Sequence, residues 1–222
     1  MKAFINLRPR QHKCAPNWSV DEVLALLHSW EDNNMLTLKK LTKKLVMLLA
    51  LSSSSRCSEI ANINANGKRY IPGGIQFPLL KHKKNRKASV LPGTVFFPHI
   101  KDKKLCPATC LEYYLSKTGS INRSDGALIR TTIKPHKAAT SMTISRWLTE
   151  IICSSGQQFP TKYIRRGHTT RGQAATKAKK LGLTSEQILN AGEWKSENVF
   201  TKHYFFKHQP EFGRTVLEYK SQ

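Results

Sequence analysis

Residues 167–171 read Gly167-His168-Thr169-Thr170-Arg171 and open a segment, residues 169–181, that reads as a helix. His168 and Arg171 fall one helical turn apart at its start. An imidazole and a guanidinium on one face, beside helix N-terminal amides, can hold a phosphate and move a proton near it. Taken alone, the spacing is a weak signal that a helix-capping His beside a surface Arg accounts for better, so the neighbouring segments decide. Downstream stand Ala191-Gly192-Glu193-Trp194 and, ten residues beyond the Trp, Tyr204 in Lys202-His203-Tyr204-Phe205. Either aromatic by itself reads as a core residue. Upstream, Ser55-Arg56-Cys57-Ser58-Glu59-Ile60 follows an apolar helix directly. An Arg at the end of a buried helix is costly unless it meets an anion, and Glu59 or a ligand phosphate would serve.

The rest of the chain is read from hydrophobic period and punctuation. Ser19 opens a helix with Glu22 three residues on, and Val23, Leu24, Leu26, Leu27 and Trp30 behind it. Leu38, Leu41, Leu45, Leu48 and Leu49 recur at helical spacing, predicting a helix over residues 38–51 with its Lys pairs, Lys39-Lys40 and Lys43-Lys44, facing outward. Residues 68–91 change character. Pro72, Gly73-Gly74, Pro78 and Pro92 punctuate short apolar runs, which read as strands joined by a basic hairpin. Helical pattern returns over residues 108–115, 143–154, 169–181, 185–190, 196–206 and 211–219. The fold class is therefore mainly α with a small antiparallel β-sheet (α+β). No repeat or linker divides it, and the boundaries fall as an extended lead-in over residues 1–18, one domain over 19–206 and a C-terminal helix or tail over 207–222.

Composition narrows the partner. The chain has 222 residues, enough to bury a real core, with 37 Lys and Arg against 14 Asp and Glu and a formal charge of +23. The hydrophobic share, 39%, is too well patterned for a disordered tail. No run approaches the length of a membrane span, and the N-terminus lacks the apolar stretch of a secretory signal. The densest basic run is Lys81-His82-Lys83-Lys84-Asn85-Arg86-Lys87; Arg165-Arg166 is another. Any single run also reads as a solvated face or an import signal. Spread over a folded domain, the charge makes nucleic acid the natural partner, through counterion release from phosphates. Cys14, Cys57, Cys106, Cys110 and Cys153 are odd in number and lack zinc-ligand spacing, so they read as reduced thiols.

Taken in order, these pieces resemble the tyrosine recombinase (phage integrase) family, whose catalytic domain carries Arg, a hairpin Lys, His-x-x-Arg, His or Trp, and a nucleophilic Tyr. The sequence is similar in particular to recombinases of DIRS-like, Ngaro and Crypton mobile elements of eukaryotes. Residues 41–51 ahead of Arg56 look like their first box, Pro135-His136-Lys137 with Ser145-Arg146-Trp147 like their middle box, and His168 through Arg171, Ala174-Ala175-Thr176 and Trp194 through Tyr204 like their last. The likeness runs from about residue 18 to 204.

The resemblance implies DNA cleavage and rejoining through a 3′-phosphotyrosyl intermediate. Tyr204 would attack the scissile phosphate, Arg56 and Arg171 would hold its non-bridging oxygens, and His168 would serve as general base or orienting partner. Trp194 stands at the His-or-Trp position and donates through its indole N–H. Lys81 is the assigned hairpin lysine that protonates the leaving 5′-oxygen, with Lys83 and Lys84 open as alternatives. Glu59 is expected to orient Arg56, and His203 is a further candidate participant. Lys83, Lys84, Arg86, Arg165 and Arg166 are expected to contact DNA. No metal or other cofactor is implied, and no carboxylate cluster is evident to hold one.

The implied partners are double-stranded DNA and further copies of the chain in a synaptic tetramer; no membrane is implied. Family members also carry an N-terminal helical domain that completes a clamp on DNA, whereas about eighteen residues precede the first helix here. The chain is therefore expected to be a catalytic-domain fragment, a truncated element copy or a host-retained derivative. The nucleus is the expected compartment. Two alternatives remain open: a DNA-binding domain that has lost catalysis, and a type IB topoisomerase-like enzyme.

Overall fold

The computed structural model describes residues 18–81, 93–157, 169–192 and 194. Ser19 caps helix α1 (Val20–Ser29), its hydroxyl accepting the Glu22 N–H at 3.3 Å. Thr37 caps α2 (Leu38–Ser53) in the same way through Lys40 N–H. The Leu stripe of α2 is buried, and this helix forms the spine against which the later elements pack. It ends where Ser54 takes a left-handed φ of 48°, turning the chain into a short helix α3 (Cys57–Ala61) that the sequence pattern did not predict.

A three-stranded antiparallel sheet follows, in the order β1 (Arg69–Ile71), β2 (Gly74–Pro78), β3 (Thr94–Pro98). Gly73, at φ 84°, makes the tight turn between the first two. Ile75 faces Phe97 and Phe77 faces Val95 in the register, so one face of β2–β3 carries four buried apolar side chains. The Phe77 and Phe97 rings lie 6.2 Å apart. The third strand extends the sheet beyond the predicted tract, which stopped at residue 91.

Four helices complete the described fold: α4 (Pro107–Lys117), α5 (Ser141–Ser154), α6 (Thr169–Lys180) and α7 (Ser185–Gly192). Helices α4, α5 and α6 all touch α2, and α3 lies on α5. Helix α7 packs on α6 through a small second cluster of Ala175 and Ile188. The observed class is mainly helical with a small antiparallel sheet, as the periodicity indicated. The predicted helices over residues 196–206 and 211–219 lie outside the described residues. No described helix is long and apolar enough to cross a membrane, and the four described cysteines are free thiols.

One prediction is corrected. Lys44 does not face outward with Lys43; it is 0% exposed, and its Nζ has no hydrogen-bond partner among the described residues. Residue 44 lies three after Leu41 and four before Leu48, inside the apolar stripe, so packing α2 against α4 buries it whatever its charge. Desolvation holds its ammonium below the ordinary 10.5. Nearby Cys110 supplies no compensating anion at neutral pH, because burial pushes its thiol up to about 12.

The unfolded chain therefore keeps the Lys44 proton at pH values where the folded chain has lost it. This residue's contribution to stability rises with pH from its folded value toward about 10.4. Lys44→Met is expected to stabilise the fold by about 1–3 kcal/mol at neutral pH. The gain should shrink at about pH 9.5. Urea unfolding of both proteins at the two pH values checks this, and a gain independent of pH would refute it.

Candidate functional site

Arg56 stands at the N-cap of α3, where the chain leaves the left-handed Ser54. The carboxylate of Glu59, one turn on, accepts from the Arg56 backbone N–H at 2.8 Å and from its guanidinium Nη1 at 2.6 Å. The short helix thus fixes its own capping arginine. The Arg56 side chain keeps 33% of its surface in solvent, while that of Glu59 keeps 9%.

Arg171 arrives from the first turn of α6. Its guanidinium lies 3.8 Å from Glu59 Oε2, so one carboxylate stands between two arginines from distant parts of the chain. Arg171 is 4% exposed. Its Nη1 donates to the Ser54 carbonyl at 3.1 Å, and its Nη2 donates to the Gly192 carbonyl at the end of α7. The Trp194 ring lies against the guanidinium, 4.1 Å from carbon to ring centroid. Arg171 therefore ties together the C-terminus of α2, the N-terminal half of α3 and the end of α7.

Gly192 is required by this arrangement. A Cβ there would lie 1.8 Å from the Trp194 ring, closer than any side chain tolerates. The start of α6 is held from another side by Trp18, whose indole N–H donates to Thr169 Oγ1 at 3.1 Å. Ser19 and Gln157 exchange two further hydrogen bonds beside it.

The structure thus brings Arg56 and Arg171 together at Glu59, with Trp194 stacked on Arg171. Lys81 is exposed just beyond β2. His168, Tyr204, His203, Lys83, Lys84, Arg86, Arg165 and Arg166 lie outside the described residues. The bridging of Glu59 to Arg171, and the carbonyls of Ser54 and Gly192, had no local signature in the sequence. Small Gly192 two residues before Trp194 was the one available hint.

Next to Arg56, an open groove of about 870 Å³ runs between α3 and α5, lined by Cys57, Ser58, Met142, Ser145, Arg146 and Cys153, among others. Lys43 and Arg146 share Glu150 along its wall, at 2.6 and 3.7 Å. Burial raises the Cys57 thiol above its ordinary value, so it stays protonated beside the Ser145 hydroxyl at neutral pH. Among the described residues, no cluster of His, Cys, Asp and Glu is arranged to hold a metal ion.

Comparison with solved structures places this arrangement in a known fold. The chain is similar to the XerH site-specific recombinase, in a post-cleavage complex with a palindromic difH substrate, at a TM-score of 0.64 and 13% identity over 89% of this chain and 50% of that one. The XerA recombinase gives 0.61 and 15%, covering 97% and 69%. A lambda integrase dimer bound to a core site gives 0.53 and 15%, covering 100% and 68%. The chain spans about half of XerH. No protein-family profile matches the chain, and no curated protein sequence does. At these identities the likeness establishes the fold, which is that of a tyrosine recombinase catalytic domain.

Proposed function

We propose that this chain is the catalytic domain of a DNA-cleaving and rejoining enzyme that works through a phosphotyrosyl intermediate, as a tyrosine recombinase does. The observation that carries the reading is the convergence of Arg56 and Arg171 on Glu59, with Trp194 stacked on Arg171, within this fold and on a chain of formal charge +23. A phosphodiester undergoing attack gathers negative charge on its non-bridging oxygens, and prearranged guanidinium and indole donors stabilise that charge. Glu59 has a supporting role in this reading: it holds the two arginines near each other and keeps each from drifting off its rotamer.

In the proposed step, the Tyr204 phenolic oxygen bonds to phosphorus and its proton passes to His168. The bond from phosphorus to the 5′-oxygen breaks, and Lys81 gives that oxygen its proton. The free 5′-hydroxyl of another strand then reverses the sequence. A tyrosine hydroxyl, with an ordinary pKa of about 10, needs such help at neutral pH. Lys83, Lys84, Arg86, Arg165 and Arg166 are assigned to the DNA backbone, and the active assembly is proposed to be a tetramer on DNA. Origin in a DIRS-like, Ngaro or Crypton element and action in the nucleus belong to the same proposal, on the sequence boxes alone.

A second reading, a DNA-binding domain without chemistry, is favoured by the burial of Arg171 and the commitment of both its terminal nitrogens to protein carbonyls. One experiment separates the two. Wild type and Tyr204→Phe are incubated with a pool of nicked duplexes from which the 5′-hydroxyl fragment diffuses away after cleavage. Denaturing gels report any protein–DNA crosslink. An adduct in wild type and its complete loss in Tyr204→Phe are expected; DNA retention with no adduct in either protein would leave the binding reading.

A further inference from the structure

The two most exposed large apolar side chains among the described residues are Met142, at 81%, and Ile133, at 79%. Both sit on one stretch of chain. Ile133 is at the tip of a tight hairpin, and Met142 is in the first turn of the helix the hairpin leads into. Apolar surface left in water forgoes the stabilisation of burial; a single such side chain is ordinary, but two on one ordered stretch beside a basic surface make it a candidate contact.

The hairpin is rigid from base to tip. At the base, Arg130 is 4% exposed, held by both oxygens of Asp125, and its backbone N–H donates to the buried Tyr114 hydroxyl at 2.8 Å. Arg130 pairs with Ala138 in an antiparallel bridge, and Thr131 N–H donates to the Lys137 carbonyl at 2.8 Å. At the tip, His136 takes a positive φ of 56°, its N–H donates to the Ile133 carbonyl, and its Nδ1 lies 2.8 Å from the Thr131 carbonyl. Ile133 is exposed at this tip, as are Lys134 and Lys137.

The hairpin also adjoins the site. Thr140 caps α5 directly after it, and Met142, Ser145 and Arg146 of α5 line the groove with Cys57 and Ser58, beside Arg56. Among the described residues from the hairpin to Arg56, Asp125 and Glu59 are paired with Arg130 and Arg56, which leaves Lys134, Lys137, Lys43 and Arg146 against the carboxylate of Glu150. That charge fits a polyanion and disfavours a basic or neutral apolar protein face.

We infer that the hairpin over residues 130–138 is a DNA-reading element: Ile133 contacts base edges in a groove, and Lys134 and Lys137 bind the phosphates on either side. The inference rests on the DNA-binding reading above and adds to it a residue that discriminates sequence. Cations flanking the tip supply affinity that is indifferent to sequence, while an apolar side chain against base edges, such as the thymine methyl, supplies preference.

Selection by the 222-residue wild-type chain from a randomised duplex pool provides the probe, and titrations at several salt concentrations compare the selected duplex with the unselected pool. Ile133→Ala is expected to reduce the preference for the selected duplex about tenfold while leaving the salt slope unchanged. Ile133→Val should recover most of the preference. Lys134→Ala combined with Lys137→Ala should weaken both duplexes alike and lower the slope of log affinity on log salt by about 0.9 per lost contact.

Ile133→Ala that keeps wild-type preference overturns the inference, as does a wild type that binds DNA without any preference; both leave the DNA-binding reading in place. A wild type that retains no DNA removes both. If Ile133→Ala instead alters self-association of the DNA-free chain and spares selection, the tip is a protein-docking face and the inference fails. Because Ile133 is solvent-exposed, circular dichroism of the variant should match wild type.

Discussion

Glu59→Ala is expected to cost the fold about 3 kcal/mol and to abolish any DNA strand cleavage with it. The side chain is 9% exposed and its two oxygens face both arginines. Removing the carboxylate leaves the guanidinium of Arg171, 4% exposed, without its counter-charge, and breaking one side of a buried charge pair costs about 3–5 kcal/mol. The low end applies because the Ser54 and Gly192 carbonyls and the Trp194 ring remain around Arg171. The cap on the Arg56 N–H is lost as well, which unpins the first turn of α3. Glu59→Gln, which keeps shape and an acceptor but not charge, should fall between the two. Urea unfolding measures the loss, and an Ala variant within about 0.5 kcal/mol of wild type would mean that Glu59 is not the tie between the arginines.

The two arginines should separate in their effects. Arg56 is partly exposed, and an ion pair of that kind is worth about 1 kcal/mol or less, so Arg56→Ala is expected to leave stability nearly intact. On the proposed reading, the same substitution removes a donor aimed at the reacting phosphate and lowers the rate of adduct formation about 10²–10³-fold. Arg171→Ala should lower that rate comparably and also destabilise the fold, because it unties α2, α3 and α7 at once. Single-turnover adduct formation, set beside urea unfolding of the same variants, reads both quantities. Equal loss of stability in the two variants would contradict the division of roles; an unchanged rate in Arg56→Ala would place that residue outside the chemistry.

Local pattern carried the helices because their determinants are local. The Leu stripe of α2, the cap at Ser19, and the punctuation around β1 and β2 each act within a few residues, and the structure places elements where they point. Strand β3 was missed because Val95-Phe96-Phe97 is a continuous apolar run. Its alternation emerges only once Val95 and Phe97 turn toward β2 and the core while Phe96 stays 39% exposed. Helix α3 was missed because five residues carry too little periodicity to register.

The sequence by itself determined the fold class, the excess of positive charge and the order in which Arg56, Arg171 and Trp194 occur. Those properties are read along the chain or within one turn of it. Only tertiary structure decided that Glu59 lies between two arginines, that Arg171 is sunk against the Ser54 and Gly192 carbonyls, and that Lys44 is buried without a hydrogen-bond partner among the described residues. Each of these depends on which faces of α2, α4, α6 and α7 meet. Backbone carbonyls, identical in every residue, leave no mark in a sequence to announce which of them will be the acceptor.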